Sequence, residues 1–188
     1  MGESKMKSWS SASVVLMASV SLIALTACEE PKVDAEIFES LTQCKESPNA
    51  NSDHCEASYK EARNQHAAVA PKYSSEADCQ ADFGAGKCET APYRTTSGGS
   101  VFMPLMMGYM MGSMMNSGGR RSSIFPQPLY RAADDPKGYR TADNRKVSSK
   151  TGRTQVASSA GRRPSMKRST LSRGGFGASG GRLGSAAT

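Results

Sequence analysis

Three groups of residues in this chain have types and spacings that could do chemistry. The first is "MPLMMGYMMGSMM", residues 103–115, which holds seven of the eleven methionines (Met103, Met106, Met107, Met110, Met111, Met114 and Met115) and no charge. Thioethers are soft donors, and methionines a helical turn apart, such as Met106, Met110, Met111 and Met114, suit Cu(I). The second group is five cysteines, Cys28, Cys44, Cys55, Cys79 and Cys88; the third is the histidines His54 and His66, set in a charged stretch where a solvated surface role is the ordinary reading. No GxSxG, P-loop or HExxH motif accompanies them, so a non-catalytic protein without a cofactor is expected.

The elements that would position these groups begin with a leader. "KSWSSASVVLMASVSLIALTAC" has a basic start, an apolar run from Val14 to Leu25 and a small-residue site ending at Cys28. The run is too short for a permanent spanning helix. Leu25-Thr26-Ala27-Cys28 matches a bacterial lipobox, making residues 1–27 a lipoprotein signal peptide and Cys28 the acylated first residue of the mature chain. Acyl chains contribute about 0.8 kcal/mol per buried CH₂, so such an anchor is stable. By resemblance to Gram-negative lipoproteins, Glu29 is not the Asp that holds them at the inner membrane. The expected address is the outer membrane, facing the periplasm.

Setting Cys28 aside leaves four cysteines in an oxidising space. "FESLTQC" (Phe38 to Cys44) and "YSSEADC" (Tyr73 to Cys79) superimpose at a period of 35 residues, and each unit closes on Cys-Glu, at Cys55 and Cys88. Ser40 and Ser75 read as helix N-caps, with Gln43 and Asp78 three positions on. The repeat predicts Cys44–Cys55 and Cys79–Cys88 disulfides, which a region this small needs. A zinc site joining the cysteines to His54 or His66 lacks the CxxC pairs it would want. A helix is expected from about Glu56 to Ala68, ended by Pro71. After a linker (28–37), the disulfide-stapled helical domain spans 38–93, followed by a second linker at 94–100.

The methionines of segment 101–115 recur at i, i+3, i+4, i+7, i+8, a helical period, with Gly108 and Gly112 beside them as a GxxxG pair. At about 22 Å such a helix falls short of a bilayer core. It would pack on the cysteine region, self-associate, lie shallowly in a membrane with Arg120 and Arg121 at the head groups, or bind Cu(I). Packing accounts for the glycines, whereas copper does not.

Residues 116–188 carry 15 basic and 3 acidic residues, against 7 basic and 13 acidic in residues 28–115. This Ser/Gly/Arg-rich tail is expected to be largely disordered, with room for a short hairpin at 127–147 turned by Asp-Pro and Lys-Gly. Arg120, Arg121, Arg162, Arg163, Lys167, Arg168 and Arg173 are candidates for binding anionic lipid, lipopolysaccharide or an acidic envelope protein. "SRGGFG" (172–177) is of a type that binds RNA, but the envelope address removes nucleic acid as a partner. The fold expected is a small, mostly α, disulfide-stapled domain with a Met/Gly-rich apolar helix and a basic tail.

The order of lipobox, "APKYSSEADCQADFGAGKC", "FMPLMMGYMMG", "QPLY" and a late "RGGFG" resembles the YgiB-type family of enterobacterial envelope lipoproteins, with departures mainly in the tail. The resemblance implies an envelope protein of unknown biochemical function and supplies no catalytic residues. The functional expectation is a non-catalytic outer-membrane lipoprotein with an adaptor or anionic-surface-binding role. The alternative is a periplasmic Cu(I)-binding protein using the methionine segment.

Overall fold

The chain divides into two units, Met1–Pro31 and Lys32–Thr188. The structure, a computed structural model, describes residues 30–48, 50–113, 124–165, 170–171 and 176–177. The fold below is that of the second unit. Cys28, Met114, Met115, Arg120, Arg121, Lys167, Arg168 and Arg173 lie outside the described residues, and with them the expected site of acylation.

The expectation of a mostly α domain is wrong: strands dominate, arranged as a nearly closed six-stranded antiparallel barrel and a smaller four-stranded sheet. The strands are β1 (Lys32–Phe38), β2 (Lys72–Tyr73), β3 (Cys88–Arg94), β4 (Ser100–Pro104), β5 (Gly108–Gly112), β6 (Gln127–Ala132), β7 (Asp135–Arg140), β8 (Lys146–Ser148), β9 (Gly152–Ala157) and β10 (Thr170–Leu171). The helices are α1 (Leu41–Lys45), α2 (Ser52–Val69) and α3 (Glu76–Phe83), with a 3-10 turn at Ser158–Gly161. The barrel runs β8-β7-β6-β5-β1-β9, and β8 comes back toward β9 to close it. The smaller sheet runs β10-β2-β4-β3.

Side chains alternate across each barrel strand. Ala35 and Ile37 of β1, Met110 of β5, Leu129 of β6 and Tyr139 of β7 fill the interior, together with Val147, Val156, Ile124 and Ala160. Phe38, Tyr109 and Met111 point outward from β1 and β5, where Cys44, Cys55 and Ala62 cover them. A third apolar cluster joins α3 and the smaller sheet to the outside of β6 through Tyr73, Phe83, Met103 and Tyr130. Irregular register between β6 and β7, and again between β7 and β8, supplies the bends that let six strands curl.

The methionine segment is therefore not a helix. Met103 lies on β4, Leu105–Met107 forms a connecting loop, and Met110 and Met111 sit on opposite faces of β5. A strand buried on both faces is a continuous apolar run, so a helical spacing of its methionines carries no weight. Gly108 is already required inside the fold. A Cβ there would lie 2.8 Å from the Phe38 carbonyl oxygen, across the β1–β5 pairing. Gly112 pairs with Ala35 in the same ladder.

The basic segment is not a largely disordered tail either, since residues 124–165 supply four of the six barrel strands. β6 and β7 form the expected hairpin, but its turn is Ala133-Asp134, with Asp135-Pro136 already in β7. β9 pairs with β1 from Lys32↔Ala157 to Ile37↔Gly152.

Local signals in the cysteine units translate directly into structure. Ser40 accepts a hydrogen bond from the Gln43 amide, and Ser75 one from the Asp78 amide. Disulfides join Cys44 to Cys55, tying α1 to α2, and Cys79 to Cys88, tying α3 to β3. Closing loops of 11 and 9 residues is worth about 2.7 kcal/mol each in the chain-entropy model.

Candidate functional site

The Leu105–Met107 loop separates two clefts, and Met107 lines both. The first, about 370 Å³, lies between α2, the start of β3 and the loop; Arg63, His66, Glu89, Met103 and Met106 form its walls. α2 buries Cys55, Ser58, Ala62, His66 and Val69, spaced by three and four residues, so His66 occupies the helix face that meets the barrel. His54, near the helix start, is exposed. The reading of both histidines as surface groups therefore fails for His66. That face was legible from the spacing beginning at Cys55.

His66 bridges two partners. Its Nδ1 lies 3.0 Å from the Tyr130 hydroxyl on β6 and its Nε2 3.0 Å from Glu89 Oε1 on β3. Burial lowers the imidazole pKa below its ordinary value and Arg63 pushes the same way, while Glu89 opposes them. In the neutral form, Nε2–H donates to the Glu89 carboxylate and bare Nδ1 accepts from Tyr130 O–H. Tyr130 is fully buried, and its pKa is raised well above the phenol range by burial, with Glu89 adding to it. The phenol thus faces the core rather than the cleft. The three groups clamp α2, β3 and β6 together, and only Glu89 reaches the rim.

The second cleft, about 410 Å³, lies between the end of α3, the loop and the β6–β7 hairpin. Phe83, Met107 and Pro136 give it apolar walls, and Lys87 and Arg131 supply positive charge. Arg131 Nη2 donates to Glu39 Oε1 at 2.6 Å and also reaches the Tyr139 hydroxyl, which donates to Glu39. Its guanidinium stacks 4.3 Å over the Tyr139 ring, and its buried Nε has no protein partner. Burial, with the Glu39 hydrogen bond, pushes the Tyr139 hydroxyl up to about 12.

The remaining sequence candidates fall elsewhere. Met110 is inside the barrel and Met111 is under α2, its sulfur 3.8 Å from Cys44 Sγ, so Met106, Met110 and Met111 do not converge on one ion. Thioethers and an imidazole meet instead in the first cleft, at Met103, Met106, Met107 and His66. Among the described residues, no group of three or more His, Cys, Asp or Glu could hold a metal, and no helix is long and apolar enough to cross a membrane. Arg162 and Arg163 are exposed at the end of the 3-10 turn, with Arg163 stacked 4.0 Å over Phe125. They belong to a broader pattern that the sequence blurred by counting along the chain rather than around the barrel. Residues 41–83, the helical cover, carry 4 basic and 7 acidic residues, whereas residues 135–157, from β7 to β9, carry 6 basic and 2 acidic. Lys137, Arg145, Lys146, Lys150 and Arg153 of that wall are exposed. Buried Arg140 and exposed Lys146 pair with Asp135 at 3.3 and 2.8 Å, which lowers the Asp135 pKa, chiefly through the Lys146 hydrogen bond.

Comparison with known proteins places this architecture among relatives of undefined activity. The chain is 32% identical over 187 residues to a UPF0441 protein of Erwinia tasmaniensis, covering 92% of this chain and 84% of that one. It is also 32% identical over 181 residues to a UPF0441 protein of Sodalis glossinidius, covering 87% and 79%. No solved structure matches it. Residues 32–186, which span the barrel, the helical cover and both clefts, match the family described as "Protein of unknown function (DUF1190)", and the chain belongs to that family.

Proposed function

We propose that this protein is a non-catalytic envelope lipoprotein, anchored through Cys28 in the outer membrane and facing the periplasm, that binds an anionic surface through the open wall of its barrel. The observation that carries the reading is the separation of charge. α2 packs over β5 and β6, the middle of the strand order, while the exposed cations lie on β7, β8 and β9, toward its two ends where the barrel closes, and on the turns that join them. Such a dipolar distribution orients a protein at a charged surface and weakens as salt rises. Anionic lipid or lipopolysaccharide fits this chemistry, as does an acidic envelope protein.

The test is flotation of mature protein with vesicles containing anionic lipid. Binding is expected at low ionic strength, with release at a few hundred millimolar salt. Replacing Lys137, Lys150, Arg162 and Arg163 with Gln should weaken it by about 1 kcal/mol per charge. Salt-insensitive binding, or none, rejects the reading. For the anchor, Cys28→Ala should abolish acyl labelling and leave the precursor uncleaved.

A second reading, periplasmic Cu(I) binding, is favoured by one observation: three thioethers and an imidazole line the first cleft. Ligation by His66 Nε2 requires displacing the half-exposed Glu89. Cu(I) titration of Met106→Leu/Met107→Leu against the parent checks it, since equal affinity rules it out.

A further inference from the structure

The late "RGGFG" motif has no role in the surface-binding reading, yet the structure gives part of it a built receptor. Phe176 is 2% exposed. Its ring lies 4.7 Å from that of Phe83 on α3 and meets Tyr130 of β6 edge-on at 6.2 Å. Gly177 is held by one side chain at both backbone groups: its N–H donates to Asn144 Oδ1 at 3.0 Å, and its carbonyl accepts from Asn144 Nδ2 at 2.9 Å. This reciprocal pair mimics a strand bridge using an amide side chain.

The receptor is braced independently of what it holds. Asn144 sits at φ 63°, a conformation Asn tolerates, in a turn closed by its own N–H to the Thr141 carbonyl. Arg140, buried and paired with Asp135, donates to the Asn144 carbonyl. The occupant must be glycine at its second position. Gly177 has φ 84°, and a Cβ there would come within 2.3 Å of an Asp134 carboxylate oxygen. An aromatic, then a glycine in the left-handed region, then two backbone hydrogen bonds make a sequence-specific requirement. Just upstream, β10 adds in parallel to the edge of β2, Thr170 opposite Lys72 and Leu171 opposite Tyr73. Edge-strand addition plus one anchored side chain is a general mode of peptide capture.

We propose that the notch formed by Phe83, Tyr130, Asp134 and Asn144 is a Phe-Gly recognition site through which copies of this chain associate by exchanging their C-terminal segments. Every named contact of Phe176 and Gly177 is to residues between 83 and 144. The same segment of a second copy makes the same contacts, so exchange loses none of them. In dilute solution the tethered segment wins, because its effective concentration is of millimolar order. Exchange becomes competitive where copies are crowded.

The test mixes two full-length variants. Gly177→Val cannot donate its segment but keeps the notch; Asn144→Gly keeps the segment and the backbone freedom of the turn but loses the receiving amide. Light scattering should find each monomeric alone and a one-to-one complex on mixing. A fluorescent peptide of residues 172–179 should bind Gly177→Val at least tenfold more tightly than Asn144→Gly, and the same peptide with valine at position 177 should not bind. If Gly177→Val does not fold alone, co-refolding with Asn144→Gly should recover it. No complex between folded variants, no recovery of an unfolded one, or equal peptide binding by both variants overturns the proposal.

Discussion

Gly108→Ala distinguishes the strand from the helix by the sign of its effect. In a helix, replacing an interior glycine with alanine stabilises by about 1 kcal/mol. In this structure the new methyl would lie 2.8 Å from the Phe38 carbonyl oxygen, 3.3 Å from Tyr139 Cε1 and 3.6 Å from Glu39 Cα. Two of those neighbours are backbone, and an ordinary carbon–oxygen contact is about half an ångström longer. Relief therefore means opening the β1–β5 ladder or moving a barrel-core tyrosine. Overpacking of this kind costs about 1–3 kcal/mol. For a domain of this size, about 2 kcal/mol lowers the melting temperature by roughly 4–8 °C. Urea unfolding of oxidised protein measures it, with the shift expected in midpoint at constant slope. Met110→Leu, which conserves volume in the barrel interior, should cost less than about 1.5 kcal/mol. If Gly108→Ala raised the midpoint, the strand and its register against β1 would be refuted.

Three further outcomes are expected. The folded-state pKa of His66 lies below its unfolded value, so its contribution to stability is present above about pH 6.5 and is lost as pH falls through the folded value; His66→Gln should flatten the unfolding midpoint between pH 7 and 5. Tyr130→Phe removes the hydroxyl facing His66 Nδ1 and leaves a buried acceptor unpaired, costing about 1–3 kcal/mol in chemical denaturation. Cys79→Ala/Cys88→Ala opens the 9-residue link between α3 and β3; it should cost about 2.6 kcal/mol and raise protease sensitivity near Gly84–Lys87.

What was legible in the sequence was local. Ser40 and Ser75 cap helices by accepting from the amides of the third helical residues, and the 35-residue repeat placed each cysteine near its partner, because these interactions close within a dozen residues. The barrel was illegible for the opposite reason. β1 is completed by β5 and β9, with Lys32 opposite Ala157, and no local pattern in "KVDAEIF" or "GRTQVA" announces that partner. β5 reads as helix because both its faces are buried and alternation disappears. The basic tail looked unfoldable because its charges were counted and its short strands were not. Arg140 and Tyr139 are buried while Lys137 and Lys146 are exposed. The first cleft was half legible, since the Cys55-to-Val69 stripe carries His66, but Glu89 and Tyr130 arrive from distant strands.

β1 is the first strand of the domain, yet it lies inside the sheet, paired on one side from Ala35 to Phe38 with β5 and on the other from Lys32 to Ile37 with β9. Tension applied to the chain ahead of Lys32 therefore enters a strand gripped along both edges. Antiparallel hydrogen bonds run across the strands, so a pull along β1 loads both ladders in shear, and they must yield together instead of unzipping one bond at a time. A domain tugged from that end should resist like a bolt held between two plates. The same force applied from the C-terminal side would first draw Phe176 and Gly177 from their notch and then peel the two-residue β10 from the edge of β2.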